Sequence, residues 1–205
     1  MNYARIPTTM TVVLTALSLT PATGAAQQPW SKLSPEMQIR LAVQAAPKDL
    51  QDGAAVQGYD DAGAFVNLRD GSNALICMAP NPTAESLEVS CHNDAIEPFF
   101  ARGRELAAQG VTGQERVMTR WREHDEGKLP IPAGSVNYIL TGSGFDAATG
   151  EIADPYLRWN FYMPGATVES TGISDQPSST VPWLMFPGTA GAHLMVTPPR
   201  GGGGR

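Results

Sequence analysis

Apolar positions along the chain change their period several times. Met37, Leu41 and Ala45 recur at i, i+4 and i+8, with Ile39 and Val43 on a second stripe, which is the spacing of a helix buried over much of its surface. Ser34-Pro35-Glu36 supplies its start: a serine to cap free backbone N–H groups, a proline at the first position and an acid at the positive end of the dipole. The spacing predicts a helix that runs to Ala46 and stops before Pro47. From residue 54 to 78 the apolar runs shorten to 55–59, 64–68 and 74–78, divided by Asp60-Asp61-Ala62-Gly63 and Arg69-Asp70-Gly71-Ser72. This predicts a three-strand meander, closed by Pro80-Asn81-Pro82 and followed by an exposed loop to Ser90.

Helical spacing then returns twice. Ile96, Phe99, Phe100, Gly103, Leu106 and Ala107 share a face after Asp94 and Glu97, which are placed as a capping box. Thr112 with Glu115 forms a second such box, with Val117, Met118, Trp121 and His124 as the expected buried stripe. Gly110 and Gly127 are natural stops. Three further strands are expected at 135–140, 156–163 and 192–196. The pattern predicts an α+β fold: an antiparallel sheet of about five to six strands covered by two or three helices. It forms a single domain over 27–196, and the Pro- and Gly-rich segment 197–205 is expected to be a disordered tail.

Composition narrows the functional classes. Among 205 residues, 42% are apolar and 17% charged, and 14 Lys+Arg face 20 Asp+Glu for a net charge of −6, which argues against a nucleic-acid partner. Near the N-terminus, Arg5 precedes the short apolar stretch 11–19, and Pro21-Ala22-Thr23-Gly24-Ala25-Ala26 then contains only small residues and proline. Residues 1–26 are therefore expected to be a signal peptide, with no membrane span and a secreted or periplasmic destination. Its removal would leave 13 Lys+Arg against 20 Asp+Glu, a charge of −7. In an oxidising compartment Cys77 and Cys91, with 13 residues between them, read as one disulfide. The rival, a thiolate metal site with His92, lacks the short paired spacing usual for zinc.

Familiar catalytic signatures are absent. No G-x-S-x-G, H-E-x-x-H or P-loop string occurs. Gly142-Ser143-Gly144-Phe145-Asp146-Ala147 imitates a dinucleotide fingerprint, but Thr149-Gly150 and Asp154-Pro155 leave no room for the helix that such a site requires, so it reads as a glycine-rich hairpin loop. No cofactor is expected. The candidate ligand or metal residues are His193, Met195 and His92, since strand alternation places His193 beside Met195 and imidazole with thioether suits a soft metal. Trp183 and Met185 are candidates to line a cleft. Eleven arginines outnumber three lysines, and Arg102, Arg104, Arg116, Arg120 and Arg122 lie among acids in the two middle helices, where ion pairs on a solvated face are the expected use.

Three segments resemble, in order, a family of uncharacterised secreted bacterial proteins: Leu41-Ala42-Val43-Gln44-Ala45-Ala46-Pro47, Gly71-Ser72-Asn73-Ala74-Leu75-Ile76-Cys77, and the run from Pro182 to Met195 that holds Gly188-Thr189 and Ala192-His193-Leu194-Met195. The resemblance spans roughly residues 39–196 and departs at Ala74, where the family has glycine, and at Ala190-Gly191, where it has Pro-Tyr. It carries no established activity and draws attention only to His193 and Met195. The expected function is an exported, soluble, non-catalytic binding or interaction module with an unknown protein or small-molecule partner. The alternatives are a metal-binding protein or metal-dependent enzyme using His193, Met195 and His92, and a small hydrolase using Asp94 and Glu97 as an acid/base pair.

Overall fold

A computed structural model describes residues 30–200. Helix α1 (Pro35–Ala42) starts where the sequence places it, with Ser34 Oγ accepting from the Met37 amide, and tightens into a 3₁₀ turn at Val43–Ala45 before Pro47. The strands are β1 (Ala55–Tyr59), β2 (Phe65–Arg69), β3 (Leu75–Met78), β4 (Leu87–Asn93), β5 (Val136–Gly142), β6 (Gly144–Phe145), β7 (Ile152–Ala153), β8 (Tyr156–Tyr162), β9 (Trp183–Met185) and β10 (His193–Val196). Helices α2 (Glu97–Ala108) and α3 (Gly113–Asp125) separate β4 from β5, and the short α4 (Val168–Thr171) precedes β9. Eight strands form one mixed sheet in the order β2-β1-β3-β4-β5-β8-β10-β9, while β6 and β7 pair as a small hairpin.

The expected architecture holds as α+β with one disulfide, but the sheet is larger and is not purely antiparallel. The meander is replaced: β3 runs parallel to β1 and does not touch β2. The crossing lies at Gly71, where a Cβ would come within 2.5 Å of the Ala55 backbone nitrogen, and the Ser72 and Asn73 amides both donate to Gly53 O. With the chain held over the start of β1, it passes to the far side of that strand. The expected loop before Ser90 instead enters β4, so Cys77–Cys91 joins directly opposed residues of neighbouring strands. Two caps also differ. Asn93, not Asp94, accepts from the Ala95 amide at the entry to α2, and Thr112 makes no side-chain cap.

Segment 197–200 is packed, in contrast to the expected free tail: Thr197 Oγ1 donates to Ser178 O, Tyr156 Oη donates to Pro198 O, and Arg200 lies over the Tyr156 ring. Residues 1–26, the expected signal peptide, and residues 201–205 lie outside the described residues. No helix among the described residues is long and apolar enough to cross a membrane.

The two faces of the sheet have different covers. Strand alternation sends Val56, Cys77, Leu87, Val89, Cys91 and Leu140 to one face, under Leu41, Ala42 and Ala45 of α1 and its 3₁₀ turn. The opposite face lies under α2 and α3, which contribute Phe99, Phe100 and Trp121 to a second cluster with Ile96, Leu129, Ile131 and Tyr162. Helix α3 has no fully buried residue, and Met118, placed by sequence in its buried stripe, is 48% exposed.

Candidate binding groove

Register determines what the α2–α3 face presents. Ile76, His92, Asn137, Asn160, Met195 and Trp183 are consecutive cross-strand partners and form one row over six strands. At its centre His92, Asn137 and Asn160 are buried polar residues side by side. His92 Nδ1, Asn137 Oδ1 and Asn160 Oδ1 have no hydrogen-bond partner among the described residues. Buried polar atoms are ordinarily matched, and one left bare costs about 1–3 kcal/mol, so three in a row call for a physical account.

Around His92 the geometry is defined. Its Nε2 lies 2.6 Å from Glu97 Oε2, and Arg104 Nη2 donates to Glu97 Oε1, giving a guanidinium–carboxylate–imidazole chain. Burial pushes the Glu97 carboxyl up, but the bonds from His92 and Arg104 outweigh it and hold the group below its ordinary value. Glu97 is therefore ionised at neutral pH and has no proton to give. Asp94 is exposed in the preceding turn and does not share this chain. The His92 ring stacks on Phe100 with centroids 4.3 Å apart, and the contacts continue through Tyr162 to His193, Phe186 and Trp121.

Beside this row a groove of about 680 Å³ opens between α2, α3 and the sheet. Met78 and Ser90 lie on its sheet side, Tyr59, Phe65 and Phe100 give it aromatic walls, and Arg104, Arg116 and Arg120 line it. These arginines do not behave alike. Arg104 is committed to Glu97 and lies over the Phe65 ring. Arg116 and Arg120 have no carboxylate partner among the described residues, and the Nε atom of each is buried without an acceptor. Arg120 lies 4.2 Å above the Phe99 ring, with one long bond to Phe99 O, in space left by Gly103, whose missing Cβ would sit 3.0 Å from Arg120 Nη1. Burial lowers the Arg120 pKa and the charge of Arg116 lowers it further, with the Tyr162 phenol acting the other way. Burial in turn pushes that phenol up to about 12, against the pull of Arg120. The expected ion-paired use holds for Arg102, bonded to Glu123 and Glu105, and for Arg104, but among the described residues not for Arg116, Arg120 and Arg122.

The sequence candidates share a face without sharing a site. His92 on β4 and His193 on β10 are separated by β5 and β8, three interstrand spacings of about 4.8 Å each, so they cannot ligate one ion. Among the described residues no three His, Cys, Asp or Glu side chains converge as a metal would need. The two cysteines are bonded to each other, so neither is a ligand. His193 Nδ1 lies 2.7 Å from Gly191 O, an arrangement that leaves Nε2 with the lone pair in the neutral ring. Burial lowers the His193 pKa, opposed by that bond. Met185 and Trp183 lie on edge strand β9 opposite His193 and Met195, away from the groove. A second hollow of about 750 Å³ is lined by Trp30, Tyr59 and Asp60, but the buried amide in its wall, Gln38, is already satisfied by Leu33 O, Tyr59 O and the Tyr59 amide.

Asn137 and Asn160 were not among the sequence candidates. The available signal was an asparagine, a residue depleted in strands, inside each of Val136-Asn137-Tyr138-Ile139 and Trp159-Asn160-Phe161-Tyr162. Comparisons with protein-family models, with curated proteins and with solved structures found no match.

Proposed function

We propose that the protein is an exported, non-catalytic binding module that takes an anionic small molecule with an aromatic or apolar body into the groove between α2, α3 and the sheet. One observation carries this reading: two partly buried guanidiniums, Arg116 and Arg120, line a groove of about 680 Å³ without an ion pair among the described residues, the one carboxylate in the lining, Glu88, being bonded to Arg158. Leaving two positive charges unpaired against a desolvated wall is costly, and an incoming carboxylate, sulfonate or phosphate would offset that cost. Tyr59, Phe65 and Phe100 supply the apolar contact. The segment 11–26 and the Cys77–Cys91 bond support export.

The test is isothermal titration of 3-phenylpropionate against its neutral analogue 3-phenylpropan-1-ol. The acid is expected to bind and the alcohol to bind about tenfold or more weakly. Arg116→Ala and Arg120→Ala should each erase the difference while circular dichroism stays native. Equal binding of acid and alcohol, or binding of neither, overturns the reading.

A metal site at His193 and Met195 is the second reading, favoured by the free Nε2 lone pair and the shared face of the two side chains. Its mark is stoichiometric metal in protein recovered from an exporting host, lost in His193→Ala; protein that is metal-free after recovery and after copper titration removes it.

A further inference from the structure

The charges in the groove lining do not balance. Arg104, Arg116, Arg120 and Glu88 line it, and two of these are already answered, Arg104 by Glu97 and Glu88 by Arg158. That leaves Arg116 and Arg120 as two positive charges without an ion pair among the described residues. Residues four apart on a helix share a face, with Cβ atoms about 5–6 Å apart, and both of these line the groove from α3. Like charges at that spacing weaken a helix, and partial burial adds to the cost. The two are close enough for Arg116 to add to the lowering of the Arg120 pKa that burial causes. Their inner and outer atoms differ. The Nε of each is sealed from solvent, whereas both Nη atoms of Arg116 and Nη2 of Arg120 are unbonded among the described residues and remain accessible, with Arg120 Nη1 donating to Phe99 O.

We infer that the ligand carries two negative charges on one head group, a phosphate monoester or a dicarboxylate, which the outer nitrogens of Arg116 and Arg120 grip together while an aromatic body lies against Tyr59, Phe65 and Phe100. This rests on the anionic reading above and sets the charge of the anion. A single carboxylate or sulfonate would leave one positive charge in excess on a partly desolvated wall, and a dianion balances both. A phosphate group also has three terminal oxygens, enough to accept from two guanidinium forks. No second negative group of the protein competes for them: the Tyr59 phenol stays neutral at pH 8, because burial raises its pKa against the pull of Arg104. The apolar part of the lining comes from β1, β2 and α2, where Tyr59 and Phe65 meet edge to face with centroids 5.3 Å apart. Edge-to-face and stacked contacts there suit a planar ring.

The experiment is calorimetric titration of the purified protein at pH 8 with two ligand pairs that differ in charge: phenyl phosphate against phenyl sulfate, and benzylmalonate against 3-phenylpropionate. At least one dianion is expected to bind about tenfold or more tightly than its monoanionic counterpart, and the pair that shows it separates phosphate from dicarboxylate. Arg116→Gln and Arg120→Gln should each remove that preference. Arg122→Gln takes the same charge from an exposed position of α3 outside the groove and should leave the preference unchanged. Arg120 packs on Phe99, so if Arg120→Gln does not fold, Arg116→Gln decides. Monoanions that bind as tightly as the dianions overturn the inference while the anionic reading stands. If no anion binds, both fail. A preference that survives in Arg116→Gln, or that Arg122→Gln removes as well, does not come from the paired guanidiniums and also overturns the inference.

Discussion

On the α1 face of the sheet, buried polar groups are matched: Gln38 makes three hydrogen bonds, and the Gln44 amide spans from Arg40 O and Gly150 O to the Ile152 amide. On the α2–α3 face, side-chain atoms of His92, Asn137, Asn160, Gln57, Arg116 and Arg120 lie buried and unmatched. Both faces belong to the same strands, and alternate residues of β4 serve each, Leu87, Val89 and Cys91 on one side, Glu88, Ser90 and His92 on the other. The difference therefore cannot be assigned to strand quality. One face matches its buried polar groups, and the other leaves several bare, at a cost in stability that a bound ligand would offset on the proposed reading.

Substitutions of similar burial should then cost very different amounts on the two faces. Leu41, fully buried under α1, should lose about 3–4 kcal/mol as Leu41→Ala, measured by urea unfolding. Removing the disulfide as Cys77→Ala with Cys91→Ala should cost about 3 kcal/mol by the same measurement, the value for a loop of this length in the chain-entropy model. Glu97→Gln should cost about 1.5–2 kcal/mol at neutral pH, because it unties Arg104 and His92 together.

The same variant has a pH signature. A carboxyl held below its ordinary value of 4.5 in the folded state contributes stability that is complete above that value and is lost as pH falls through the folded value. Wild-type protein should therefore lose more stability than Glu97→Gln on acidification below pH 4.5. His193 acts earlier: its folded value lies below 6.5, so its contribution is complete above that pH and declines on acidification, and His193→Gln should flatten thermal stability between pH 7 and 5. The smallest effect sharpens the comparison most. Asn160→Leu, at a residue 5% exposed, should change stability by no more than about 1 kcal/mol, toward a more stable protein. A loss as large as that of Leu41→Ala would show the two faces to be energetically alike.

Most of the helical layer was legible, since Ser34-Pro35 and the spacing of Met37, Leu41 and Ala45 are local signals and the structure keeps them. Strand β4 is legible too in the alternation of Leu87, Val89 and Cys91 with polar residues, a signal that competes with the loop to which the prolines at 80 and 82 point. The parallel pairing of β3 with β1 was not legible, because it depends on the crossing at Gly71 and not on any property of the strands themselves. The candidate site divides in the same way. His92, Glu97 and the arginines stand out as residue types, whereas the absence of carboxylate partners for Arg116 and Arg120 among the described residues depends on how α3 packs, and the row joining His92 to Asn137 and Asn160 exists only once β4, β5 and β8 are in register. Ion pairing was the reasonable expectation for arginines among acids. Among the described residues it fails at Arg116, Arg120 and Arg122, the first two of which line the groove.

The sheet is open, ending at β2 on one side and β9 on the other, and an open edge invites another chain to add a strand. Each end carries its own obstruction. Opposite β2 the register slips between Val56 and Gln57, and Arg69 at the end of the strand turns its guanidinium to Gln51 O and Ala54 O. Strand β9 is three residues long, bounded by Pro182 and Pro187, and the chain leaves it through Phe186 in the left-handed region at φ 55°. Self-association by strand addition is thereby discouraged at both ends, which would let the chain reach high local concentration without seeding fibres.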